Sequence, residues 1–217
     1  MMKMNKIIRQ DEVINLTGNS SFTVSDYVSI KLYIFGDFNV EFVLGKHSQV
    51  EVYHYNIDSD VDVSIYLRGE YASINYHYSI ISKNNHKIKV DVFHEADHTI
   101  SNIYNNAINV LNNKLILNVT GKVFKDVNDY ICNQNNQIIN MRDGHSVICP
   151  NLLIDSFNGN SDHSAYIGKF DQDKLFYLMS RGISLEMSIH ILLISFLVND
   201  DVDRDLIGDF LLELDKV

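Results

Sequence analysis

Cys149-Pro150-Asn151-Leu152-Leu153-Ile154-Asp155, then Ser161-Asp162-His163-Ser164-Ala165-Tyr166-Ile167-Gly168, then Leu175-Phe176-Tyr177-Leu178-Met179-Ser180-Arg181-Gly182-Ile183, read as one unit late in a 217-residue chain. The first run is β-type and leads to a polar turn bearing His163. The turn passes through Gly168 into an amphipathic helix. That helix stops at Arg181-Gly182, since glycine accepts the left-handed angles of a helix terminus. The unit divides the chain into a β core, 1–168, and a helical region, 169–217.

Upstream, short apolar runs recur between Gly, Asn, Asp and Ser: 28–35, 40–44, 50–55, 61–67, 71–81, 88–93, 114–119 and 146–154. Val61-Asp62-Val63-Ser64-Ile65-Tyr66-Leu67 alternates with period two, the signature of a strand with one buried face. Through residue 71 the starts recur every 10 to 15 residues, and with no close repeat they suit a sandwich, a barrel or an irregular solenoid. Downstream, Asp171 caps a helix through Met179 and Ser184 caps a second to about Val198. A third, 202–214, has Val202, Leu206, Ile207, Phe210, Leu211 and Leu214 on one face and acidic residues on the other.

Composition narrows the function. The net charge is −10 and no Lys/Arg cluster supplies the basic face that nucleic-acid binding requires. The longest apolar stretch, 189–198, is too short to span a bilayer, and the first residues lack the apolar run of a signal peptide. Two cysteines, Cys132 and Cys149, make no disulfide framework. A reducing cytoplasmic location is expected. Neither a phosphate-binding GxxxxGK[ST] loop nor a G-x-S-x-G elbow is present.

His94-Glu95-Ala96-Asp97-His98 fits H-E-x-x-H, a zinc-hydrolase motif. That chemistry needs a helix, which brings both imidazoles to one face. Here the motif follows the alternating strand 87–93, and on a strand its histidines stand about 13 Å apart. A metal-dependent hydrolase built on His94 and His98 therefore requires the chain to turn between them.

The opening unit resembles the carboxy-terminal core of the SufB/SufD family, the scaffolds of the SUF iron–sulfur cluster assembly system, with its P-x-L-x-I, H-x-A-x-x-G and L-F-Y-L-x-S-R-G-I pattern. Val92, His94, Ala96, Thr99 and Ser101 resemble a further family strand and turn, which makes His94 a structural histidine. Gln134-Asn135-Asn136-Gln137 resembles the family's Q-x-N-R-N segment, with Gln137 in place of Arg. There the amides are expected to form ladders. The resemblance covers roughly residues 40 to 200. Full-length members carry an additional amino-terminal helical region, whereas here β-like sequence begins at once.

The resemblance implies a right-handed parallel β-helix followed by a small α-helical bundle. It also implies a SufD-like scaffold, not an enzyme, working with a SufC-like ATPase and paired with a SufB-like subunit or with itself as a dimer. Two roles stand for His163: a turn histidine that only hydrogen-bonds, or a ligand to iron or a transient cluster at the subunit interface. Imidazole nitrogen suits iron. Ser161 replaces the cysteine that SufD-like members often carry two residues before this histidine, so a partner has to supply thiolates. Phe176, Tyr177 and Arg181 fall where the ATPase docks. A solenoid that keeps the fold without SUF activity is the other reading.

Overall fold

A computed structural model describes residues 4–217. Its strands are β1 (Met4–Ile8), β2 (Glu12–Asn15), β3 (Ser20–Val24), β4 (Ser29–Phe35), β5 (Val40–Leu44), β6 (Gln49–Ile57), β7 (Val61–Leu67), β8 (Ser73–Ser82), β9 (His86–His94), β10 (Ile100–Asn109), β11 (Lys114–Val123), β12 (Tyr130–Asn140), β13 (His145–Ile154) and β14 (Gly159–Gly168). Odd-numbered strands form one seven-stranded sheet and even-numbered strands the other. Pairing is parallel throughout the described strands. The chain is a β-solenoid whose rungs each contribute one strand to each sheet. Rungs lengthen along it: Ser20 pairs with Val40, 20 residues on, and Lys114 with His145, 31 residues on.

Parallel register stacks equivalent side chains in columns, because the period-two alternation repeats on every rung. In the odd sheet one inward column runs Phe22, Phe42, Ile65, Val92, Gly121, Leu152. In the even sheet another runs Leu32, Val52, Tyr76, Ile103. These columns form the core between the sheets, and Phe22 and Phe42 pack with ring centroids 5.7 Å apart. One corner is also a column. Tyr27, His47, Tyr71, His98 and Asp129 all have left-handed backbones, with φ between 53° and 61°. Each costs energy in a non-glycine residue. Each is held by an N–H donated to the next rung's carbonyl, at Lys46, Glu70, Asp97, Asn128 and Asn158. The Tyr27, His47, Tyr71 and His98 rings stack at 5.0, 4.6 and 4.4 Å.

Asp171 caps α1 (Gln172–Ser180) and Ser184 caps α2 (Leu185–Leu197), as their sequence implies. Between them Gly182 takes φ 84° and donates its N–H to Met179 O. The expected third helix is broken. Asp203 caps a 3-10 turn, Arg204–Ile207, and α3 (Gly208–Leu214) starts only after it. Glycine at the junction weakens a continuous helix. Leu193, Leu197 and Phe210 pack on Tyr53, Tyr55, Ile81 and Ile108 of the even sheet. Ser79 Oγ and Asn106 Nδ2 donate to Leu197 O and Phe196 O, at 2.6 and 2.8 Å, so sheet side chains satisfy carbonyls at the end of α2.

The core also holds two buried histidines. His54 lies between Tyr76 Oη (2.7 Å) and Gly36 O (3.2 Å), and burial lowers its pKa to about 4. His94 is lowered to about 4 by the same cause. Unfolding lets both bind protons near their ordinary value of about 6.5. The unfolded state therefore holds more protons between these limits, and stability present above pH 6.5 is lost as pH falls towards 4. The urea midpoint is expected to drop steadily from pH 7 to pH 5, and the drop should shrink in His54→Phe. An unchanged pH dependence in that variant would place the acid sensitivity elsewhere.

Candidate functional site

Among the described residues the last rung, β13 and β14, has strands on one side only: β11 beneath β13 and β12 beneath β14. The sequence places His163 in a turn. The structure places it mid-strand in β14, and residues 155–158 make the turn instead. In the sequence, polar Ser161, Asp162, His163 and Ser164 hide the strand. Register puts His163 on the inward column, above Gln134 and, two rungs down, Ile103. Among the described residues no rung covers β14, so this inward-facing histidine is exposed at the solenoid's open end.

Beneath it the interior turns polar. Ser101, Cys132 and Ser161 form the adjacent inward column. His94, at the end of β9, is fully buried, with Nδ1 at 2.8 Å from Thr99 Oγ1 and Nε2 at 2.8 Å from Ser101 Oγ. Thr99 Oγ1 donates to Ala96 O, so it accepts from Nδ1–H. Nε2 then accepts from the Ser101 hydroxyl. Burial pushes the Cys132 thiol up to about 11. Gly121 is required here, because a Cβ would press on the Cys132 sulfur and the Gln134 amide. Gln134 Nε2 reaches Asn151 O at 3.2 Å, and Asn105 Nδ2 donates to Asn136 Oδ1 at 2.8 Å. The amide ladder of the sequence reading is thus present. Ser161 Oγ, Gln134 Oε1 and Asn105 Oδ1 are buried with no partner among the described residues.

The H-E-x-x-H reading is overturned. His94 points into the solenoid with both nitrogens engaged, whereas His98 stands on the outer corner, stacked on Tyr71 with Nδ1 3.3 Å from Asp129. The chain does turn between them, but the turn sends the rings to opposite sides of the wall. Among the described residues no three His, Cys, Asp or Glu side chains converge to hold a metal. β13 turns Ile148, Leu152 and Ile154 towards the core, so alternation leaves Cys149 outward and half-buried. Phe176 and Tyr177 are 75% and 57% exposed on α1, and the Arg181 guanidinium lies over Tyr177 at 5.3 Å. They stand apart from His163, on the helices rather than on the last rung.

These environments predict different thiol chemistry. In the native protein a maleimide should label Cys149 at least tenfold faster than Cys132, and the difference should vanish in urea. Equal native rates would mean that the Cys132 interior opens to solvent.

A family model described as the SufBD core domain of the SUF system for FeS cluster assembly matches residues 12–196. That match begins in β2 and ends within α2. A curated relative, the iron–sulfur cluster assembly SufBD family protein ycf24 of Galdieria sulphuraria, is 39% identical over 66 residues. The alignment spans 30% of this chain and 29% of that relative. No helix among the described residues is long and apolar enough to cross a membrane. With β2 to β14, α1 and most of α2 falling inside one family match, the chain belongs to the SufBD family of iron–sulfur cluster assembly proteins.

Proposed function

We propose that this chain is a SufD-like, non-catalytic scaffold of SUF iron–sulfur cluster assembly. It handles iron or a nascent cluster together with a SufB-like subunit, or a second copy of itself, and a SufC-like ATPase. The observation that carries this reading is His163 on the inward column of an uncovered rung. An unpaired sheet edge is a template for another chain. Two such edges lie side by side on β13 and β14, with Val147, Leu153 and Tyr166 exposed among them. A second subunit pairing here would cover the edges, desolvate the apolar side chains and close around His163. One imidazole is a poor cluster site, and Ser161 stands where a thiolate would help. The partner therefore supplies sulfur ligands and this chain a nitrogen. In this reading the protein is cytoplasmic, where thiols stay reduced.

The ATPase docks on the helices. Phe176, Tyr177, Met179, Leu185 and Met187 are exposed apolar side chains on α1 and the first turn of α2. α1 and α2 pack on one another, and exposed apolar side chains grouped on such a pair suit a protein interface. Arg181 beside it adds a planar donor for a carboxylate.

Co-expression with the SufC-like ATPase of the same organism, followed by anaerobic purification and light scattering, tests the reading. A stable complex is expected, and Phe176→Asp with Tyr177→Asp should weaken it at least tenfold while leaving pairing through β14 intact. Tyr166→Lys should do the reverse. Absence of any complex at micromolar concentration would contradict the proposal and favour a solenoid that keeps the fold without SUF activity.

A further inference from the structure

The opposite end of the solenoid carries a second, chemically distinct surface. β2 ends the even sheet, and among the described residues no strand pairs with its free edge. Leu16 N–H goes to Phe35 O on β4. Alternation along the strand then turns the N–H and C=O groups of Val13 and Asn15 to the open side. Val13 is 50% exposed and heads an outward column that continues through Tyr33, Tyr53, His77 and Tyr104. The rings of that column stack at 5.4, 5.0 and 4.8 Å. Beside the edge lies a cavity of about 400 Å³ between the first rungs and the 3-10 turn before α3. Val13, Phe35, Ile57, Leu206 and Phe210 give it an apolar lining, and Asp37 and Asp209 stand at its rim.

An unpaired edge, an apolar pocket beside it and an acidic rim together specify an occupant. We propose that this end docks a basic, extended peptide segment of another protein by strand addition to β2. The peptide backbone pairs with Val13 and Asn15, an aliphatic or aromatic side chain continues the outward column over Val13, and another fills the pocket. Its Lys or Arg side chains meet Asp37 and Asp209. Strand addition takes its affinity from main-chain hydrogen bonds and its selectivity from such pockets. The carboxylates steer a basic segment and reject an acidic one. The net charge of −10 adds to that bias. This surface is independent of His163 and of the helices that dock the ATPase, so it stands or falls separately from the function proposed above.

The probe is a fluorescein-labelled nine-residue peptide alternating Lys with Ile and Tyr, beside a control with Glu in place of Lys. Saturable anisotropy is expected for the basic peptide and not for the acidic one. Leu206→Glu, and separately Asp209→Lys, should each weaken binding at least tenfold with the urea midpoint retained. Amide exchange at Val13 and Asn15 should slow on binding. Affinity unchanged in both variants, no slowing at these amides, or a homodimer whose contacts bury β2 would each overturn the proposal.

Discussion

In-register parallel stacking is the constraint on which the rest of this structure depends. Each rung hydrogen-bonds to the next, so a residue's place on one rung is fixed by the residue below it. Phe22 over Phe42, the Tyr–His corner stack and the ladder from Asn75 through Asn102 to Asn133 are three results of that one rule. The rule also explains the left-handed corner residues. Their backbone strain persists because every corner N–H has its acceptor on the next rung, and the rings stack as a consequence.

The same rule determines which parts of the fold were legible in the sequence. Strands whose inward faces are aliphatic, such as β5 and β7, alternate plainly and were readable to the residue. β10, β12 and β14 were not. They turn Asn105, Gln134, Asn136 and His163 inward, so hydrophobic alternation is absent although each strand pairs in register. The caps at Asp171 and Ser184 were legible because capping is local. The break at Gly208 was not, because the heptad-like apolar spacing of residues 202–214 continues through it.

The candidate site was legible by residue and not by environment. His163 stood out through its neighbours in sequence, yet only register shows that it faces the axis of the solenoid at an uncovered end. His94 and His98 stood out for the wrong reason, since four residues of spacing say nothing about which side of a wall each ring takes. No local signal pointed to the grouping of Cys132, Ser101 and His94 or to the need for Gly121. These residues come from four different strands or their turns, and only the stacking joins them.

A solenoid has two ends, and this one differs at each. The late end is polar inside and carries His163; the early end has an apolar pocket with carboxylates at its rim. The most direct measurement concerns the late end: pulsed EPR of the reduced, anaerobically purified complex, with this chain alone labelled with ¹⁵N-histidine. A ¹⁵N coupling to the cluster, absent in His163→Ala complexes of unchanged size, is the predicted result. A cluster spectrum with no coupling, or with one that survives His163→Ala, would contradict the role assigned to the uncovered rung.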